Sequence, residues 1–256
     1  MMLPKAFEGG FFKFDFHIHT PVSQCHEDNM YPELKHHTTP EEIVQAALTA
    51  RLHAMVITDH NSAANVAPIQ AAARGTGLVI FPGLEITTAG GHLLCVFDPD
   101  TPVNHVERLL DTLDFPDPER GNPWYTTQLW LDECAEKVVE WGGLPVAAHV
   151  DREPRGYMAG DIPLDIKKRI HQSPHLAALE ITDPRNRKIL PEGSHRHYTK
   201  PYPVVQGSDA HASREIGRRS TFLRFSRLDL EGLKHVFREH PDRIRFPWEL
   251  ENGVGH

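Results

Sequence analysis

The chain has no run of about 18 apolar residues, so no helical membrane span is expected. Its three cysteines, Cys25, Cys95 and Cys134, are too few and too scattered for a disulfide framework. The opening Met1-Met2-Leu3-Pro4-Lys5 lacks the charged-then-apolar order of a secretory signal, and the cytoplasm is the expected compartment. There is no excess of positive charge. A formal net charge of −8 argues against a broad electrostatic surface for nucleic acid, although bound divalent cations would reverse the sign locally. No internal repeat and no linker stands out, so one α/β domain over residues 1–256 is expected. No GxSxG elbow offers a serine nucleophile. What the chain does have is eighteen histidines, a reason to look for metal ligands among them.

The first of these stand in Phe14-Asp15-Phe16-His17-Ile18-His19-Thr20. The alternation reads as a strand with Phe14, Phe16 and Ile18 on one face. His17 and His19 share the other face, where two imidazoles can grip one cation, and Asp15 beside them can accept a ring N–H. A polar connection over 21–37 follows, with Cys25, His26, Asp28, His36 and His37. Thr39-Pro40-Glu41-Glu42 predicts a helix start, and further helices are expected near 63–74, 103–113, 126–141, 163–171 and 229–239. Between them lie short apolar strands near 54–58, 78–81, 92–97, 144–148, 176–179 and 204–206, with more near 220–225 and 244–246. Several end in chemistry-bearing residues: Asp59-His60, Glu85, His149, Glu180 and Asp209-Ala210-His211. Alternating buried strands and helices predict parallel βα units, and closed on themselves these make a barrel with its active rim at the strand C-termini. All of these groups fall at that rim.

The motifs DFHIHT (15–20), ITDHN (57–61), PGLEIT (82–87), GHLL (91–94), AAHVD (147–151) and GSDAH (207–211) come in one order across nearly the whole chain. The series resembles the polymerase-and-histidinol-phosphatase (PHP) family of metal-dependent phosphoesterases. That resemblance implies a distorted (β/α)7 barrel holding two or three divalent metal ions. His17, His19, Glu85 and Asp209 would hold the first; Glu85 would bridge to a second, held also by His92 and His149; His60 and His211 would hold a third. The residue types agree, since imidazole and carboxylate donors suit Zn, Mn or Fe. The departure lies after the HxH, where the family supplies a further Asp or His. His26 is expected in that place, with Cys25 and Asp28 as rivals.

Such a site would hydrolyse phosphate esters with a metal-bridging hydroxide, and His211 or Asp59 would handle protons. Asp59 could instead cap the following helix, and His92 could be a strand-end core histidine. Arg152, Arg155, Arg185 and Arg214, and Arg187 beside them, follow rim strands and are candidates for the substrate phosphate. Glu180 is set aside as an arginine partner. His36, His37, His53, His105, His171, His175, His195, His197, His235 and His240 are expected at the surface, His256 in the tail, and Cys95 and Cys134 in packing. The leading expectation is a phosphatase on nucleotides or other small phosphorylated metabolites. Its alternatives are a nuclease acting on RNA or DNA ends, a non-catalytic PHP scaffold, and a catalytic domain working beside an ATPase or nucleic-acid partner.

Overall fold

The computed structural model describes residues 10–34 and 37–251, without the side chains of Leu34 and Glu251. Met1–Lys5, His36 and His256 therefore lie outside the described residues. The chain opens with β1 (Phe12–Ile18), the short α1 (Glu27–Met30), α2 (Pro40–Thr49), β2 (Ala54–Ile57), α3 (Val66–Ala72) and β3 (Val79–Phe81). An antiparallel hairpin, β4 (Gly83–Thr88) and β5 (Gly91–Val96), comes next, then α4 (Val103–Asp111) and α5 (Leu131–Glu140). β6 (Leu144–Ala147), α6 (Leu164–His171), β7 (Ala178–Glu180), α7 (Asn186–Ile189) and β8 (Val204–Val205) continue the series. β9 (Thr221–Leu223), α8 (Leu230–Arg238), α9 (His240–Arg243), β10 (Ile244–Arg245) and α10 (Pro247–Glu251) close it.

Local chemistry explains most of these boundaries. α2 starts at Thr39, whose hydroxyl accepts from Glu42 N–H while the Glu42 carboxylate accepts from Thr39 N–H, with Pro40 in the first turn. α5 begins five residues later than the amphipathic pattern predicts. Residues 126–130 stay out of the helix because Thr127 N–H donates to Thr87 O and Ala89 N–H to Leu129 O, tying them to the hairpin. α3 likewise starts late, after Asn61 takes a positive φ of 48° and the Glu107 carboxylate accepts from Ser62 Oγ and Ala63 N–H.

The strands form two five-stranded sheets, ordered β10-β9-β1-β2-β3 and β4-β5-β6-β7-β8. The expected barrel is not a continuous ladder. Single residue pairs, Ile18↔Ala210 and His60↔Glu85, connect the sheets where short strands give way to ligand-bearing turns. One apolar cluster draws on both sheets, and Phe14, Phe16 and Ile18 are fully buried in it as the alternation predicts. Pairing of β1 with β2 is in register at Phe14↔Ala54 and Asp15↔Met55, then shifts before Ile18↔Ile57. His17 sits in that irregularity, the kind of local bend that re-aims a side chain. Cys95 and Cys134 are buried free thiols, and no helix among the described residues is long and apolar enough to cross a membrane.

His171 departs from the surface role expected of it. It is fully buried at the end of α6, with Nε2 at 2.9 Å from Lys200 O and Nδ1 at 2.7 Å from Tyr157 Oη. A carbonyl only accepts, so Nε2 carries the proton and Nδ1 accepts from the Tyr157 hydroxyl. Tyr202 Oη donates to His171 O and Ser173 O, so the network fastens the 184–201 segment to α6. Burial lowers the His171 pKa from its ordinary 6.5 to about 4. Below pH 6.5 the unfolded chain binds a proton the folded chain refuses, so stability falls as pH drops from 6.5 to about 4. His171→Gln is expected to remove about 2 kcal/mol of that pH-dependent loss, read by urea unfolding at several pH values. An unchanged slope would contradict this account.

Candidate metal centre

Glu85, on β4, is 1% exposed and surrounded by five imidazoles. Its Oε2 lies 3.2 Å from His17 Nε2, 3.3 Å from His19 Nε2 and 3.1 Å from His60 Nδ1. Its Oε1 lies 2.8 Å from His92 Nδ1 and 3.2 Å from His149 Nε2. Asp209 Oδ1 closes the group at 3.3 Å from His17 Nε2 and 3.2 Å from His19 Nε2, and those two ring nitrogens are 3.1 Å apart. A tetrahedral shell around a cation bound at about 2.0–2.1 Å has edges of about 3.3 Å, so these spacings are those of ligands sharing an ion.

The sequence puts these groups together through the strand ends. His17 and His19 leave β1 and the turn after it, Glu85 and His92 are diagonal neighbours across the hairpin (their direct partners are Leu94 and Thr87), and His149 and Asp209 follow β6 and β8. His149 and Asp209 hold positive φ values of 26° and 49°, uncommon for residues with a Cβ, and turn their side chains inward.

Hydrogen bonds behind the cluster fix the rings. His17 Nδ1–H donates to Glu180 Oε2 at 3.0 Å, and the same oxygen accepts from His149 N–H at 2.8 Å. His19 Nδ1 meets Ser23 Oγ at 3.1 Å while that hydroxyl donates to Asp59 Oδ1 at 2.7 Å, so His19 Nδ1 is the donor. His211 Nδ1–H donates to Asp209 O at 3.0 Å. Each arrangement leaves the Nε2 lone pair of His17, His19 and His211 for another partner. Gly207 packs so tightly behind His17 that an added Cβ would lie 2.5 Å from Glu180 Oε1 and 2.5 Å from His17 Cβ.

The electrostatics ask for positive charge. Burial raises the Glu85 pKa, but the surrounding histidines, His17 first, hold it well below the carboxylate range. Asp209 is likewise held down against burial, chiefly by His17 and His19. Burial pulls His17 and His19 down, yet the carboxylates around them raise His17 well above its ordinary value and His19 to about 9. Burial instead lowers His60, His92 and, to about 4, His211.

The expected ligands His17, His19, His60, Glu85, His92, His149, Asp209 and His211 thus converge. His26 does not join them; it caps α1, its Nδ1 accepting from Asp28 N–H at 3.2 Å. Cys25 stands in its stead, in a group with His19, His60 and His211 whose ligand atoms lie within 4.8 Å of one another. Asp28 accepts from Thr38 N–H and Oγ1. Asp59 accepts three hydrogen bonds, from Thr20 N–H, Thr20 Oγ1 and Ser23 Oγ, and orients His19 through Ser23. Asp15 receives no ring N–H. It accepts from Ser208 N–H and Oγ and from Gly217 N–H, and Glu180 takes the outer role expected of it.

Of the arginines, Arg152 reaches the cluster, with Nη1 at 2.5 Å from Asp209 Oδ2. Arg155 lies near enough for its charge to add to burial in lowering His92. Arg185 and Arg214 point outward, 85% and 71% exposed, and pair with Asp183 and Glu27. Arg187 pairs with Glu249. The residues missed by sequence reasoning are Ser23 and Arg218. Arg218 donates from Nε to Ser208 O and from Nη2 to Asp209 O, and an arginine seven residues past His211 carries no motif.

No family model and no curated relative matches the chain. Solved structures do. Endonuclease Q from Pyrococcus furiosus, a lesion-specific endonuclease, superposes with a TM-score of 0.67 at 16% identity over 91% of this chain and 57% of that one. An Endonuclease Q complex with a 27-mer duplex bearing an abasic lesion at the active site gives 0.63 at 16% identity, over 91% and 58%. A two-domain protein from Bacteroides vulgatus containing a predicted PHP-like metal-dependent phosphoesterase gives 0.60 at 15% identity, over 95% and 66%. The architecture is a mixed α/β fold of the PHP-like kind. The chain spans about three-fifths to two-thirds the length of these structures.

The residues present fit divalent cations. Glu85 Oε2, His60 Nδ1, His92 Nε2 and His149 Nδ1 are buried without a hydrogen-bond partner, an arrangement that is costly unless another ligand satisfies it. His17, His19 and Glu85 form one candidate group, and His60, Glu85 and His92 another. Glu180→Gln, which weakens the acceptor that sets the His17 tautomer, is expected to lower metal affinity by about 10–100-fold in chelator competition. Unaltered affinity would remove Glu180 from the site.

Proposed function

We propose that the chain is a metal-dependent phosphoesterase, a hydrolase acting on a phosphate ester at the Glu85 centre. The observation that carries this is the convergence of His17, His19, His60, His92 and His149 on one buried carboxylate, with Asp209 beside it. Two or three divalent ions held there (Zn, Mn or Fe) would supply Lewis acidity and positive charge to the phosphoryl group as negative charge builds on it. We read the bridges Ile18↔Ala210 and His60↔Glu85 as the seams of a seven-stranded ring made of β1, β2 and β4 to β8. On that reading the chain is a single domain of the distorted (β/α)7 type, with the site on its rim.

The chain's own groups divide the work. The Arg152 guanidinium, 39% exposed and anchored on Asp209, is placed to meet an entering phosphate oxygen, and Arg155 is its neighbour on the same loop. Asp59 has its oxygens engaged by Thr20 and Ser23, so we assign it to positioning His19. His211, 32% exposed with Nε2 free of internal bonds, stands at the solvent side of the site, able to hold a cation or a proton.

The leading substrate class is a nucleotide or other small phosphorylated metabolite. The acidic balance of −8 and the engagement of Arg185 and Arg214 by acidic neighbours support it over a long polyanion. A nuclease is the second reading, favoured by the likeness to Endonuclease Q, whose complex holds duplex DNA with an abasic lesion at its active site. The convergence of His17, His19, His60, Glu85, His92, His149, Asp209 and His211 supports a catalytic centre over the scaffold reading.

The test is hydrolysis by metal-stripped protein with Mn, Zn, Fe or Mg restored. The substrates are mononucleotides, bisphosphates, p-nitrophenyl phosphate, bis-p-nitrophenyl phosphate and short labelled RNA and DNA. Turnover that requires metal and falls by about 100-fold or more in His17→Ala is expected. Turnover confined to the labelled strands would establish the nuclease. Tight metal binding with no turnover on any substrate would overturn the enzyme reading.

A further inference from the structure

Cys25 has no place in the reading above, yet its surroundings are built. It lies in a turn between Ser23 and α1, and the hydrogen bonds around it lead to the same three histidines. Two residues before it, Ser23 Oγ accepts from His60 N–H at 2.9 Å and from His19 Nδ1–H at 3.1 Å. Two residues after it, Glu27 N–H donates to His211 O at 2.9 Å. Next to it, Gln24 N–H donates to Gly121 O at 2.9 Å, and Gly121 N–H donates to His60 O at 3.0 Å. His26, the following residue, is turned away to cap α1.

The three rings face one another. His19 stacks between His60 at 4.6 Å and His211 at 4.3 Å, centroid to centroid. The ligand atoms of His19, Cys25, His60 and His211 all lie within 4.8 Å of each other. His60 Nδ1, 3.1 Å from Glu85 Oε2, is buried without a hydrogen-bond partner, and its ring packs against His19 and His92.

We propose that Cys25 supplies a thiolate to a cation site shared with His60 and His211 at the solvent side of the cluster and makes it selective for zinc-class ions, while His19, whose one available lone pair faces Glu85 and Asp209, packs between the two rings. The inference rests on the reading of the cluster as a metal centre and assigns a distinct chemistry to one part of it. Around Glu85 and Asp209 the donors are carboxylates and imidazoles, which accept Mn, Fe or Zn. At Cys25 two imidazoles, His60 and His211, and one sulfur make a three-donor set without a carboxylate, with a fourth position open to water or substrate. Zinc, and cobalt(II) or iron(II) in its place, suit such a set, while magnesium, which prefers oxygen ligands and keeps its waters, does not. Binding replaces the thiol S–H bond with a sulfur–metal bond and releases the proton to solvent.

Cobalt(II) loading of the metal-stripped full chain tests this. Wild type is expected to show sulfur-to-cobalt charge-transfer absorption in the near ultraviolet, and His26→Ala to retain it. Cys25→Ser should lose the band and one equivalent of bound cobalt; Cys25→Asp should lose the band and keep the metal. Should the variants misfold, wild type alone decides. Cys95 and Cys134 are buried, so a thiol reagent reports on Cys25, and zinc but not magnesium is expected to suppress its alkylation. Cobalt bound without the band, or alkylation indifferent to zinc, would overturn the Cys25 assignment and leave the metal centre standing. Failure of wild type to bind cobalt at all would overturn both.

Discussion

Everything in this molecule is arranged around a carboxylate that cannot be left alone. Glu85 is buried to within 1% of its surface, and an ionised carboxylate in such a place is untenable without positive charge beside it. Five imidazoles supply the contact, two at one oxygen and three at the other, and each comes from a different stretch of chain except His17 and His19 at the end of β1. Two sheets must therefore bring their strand ends to one point. The positive φ values at Asn61, His149 and Asp209 show the backbone bent out of its ordinary range where those ends meet.

A second layer of polar groups converts proximity into orientation. Glu180 fixes His17 and the backbone of His149 together, and Ser23 stands between Asp59, His19 and the backbone of His60. Asp15 ties the Ser208 turn and Gly217 to β1, which sets where Asp209 begins. None of these three acids makes a direct contact with Glu85. Glu180 directly, and Asp59 through Ser23, decide which nitrogen lone pair His17 and His19 present, while Asp15 positions the backbone that carries Asp209.

Much of this was legible in the sequence because it follows from strand periodicity. Alternation in Phe14–His19 placed three apolar side chains in the core and two histidines together, and the acids and histidines after the other apolar runs fell at the same rim. What stayed hidden depends on distant partners. Whether Cys25 or His26 faces the cluster is decided by hydrogen bonds from Gln24 to Gly121 and from Glu27 to His211, which no local spacing encodes. Glu180 took the ring-holding role expected of Asp15 because a carboxylate at the end of β7 reaches His17 Nδ1, while the strand holds Asp15 toward Ser208. His171 read as a surface residue because its partners, Tyr157 and the Lys200 carbonyl, come from loops on either side of α6.

Gly207 carries a consequence for how this scaffold can change. Its missing side chain is the space that His17 and Glu180 occupy, with Cβ clearances of 2.5 Å to each. A larger residue there collides with the pair, and a smaller pair leaves a void behind the ligand. The three positions are therefore strongly epistatic: substitutions at any one are unfavourable unless the others move with it, and their effects will not sum. A mutational route from this centre to a different one must cross that barrier in a coordinated step, which makes the back wall of the site its least evolvable part.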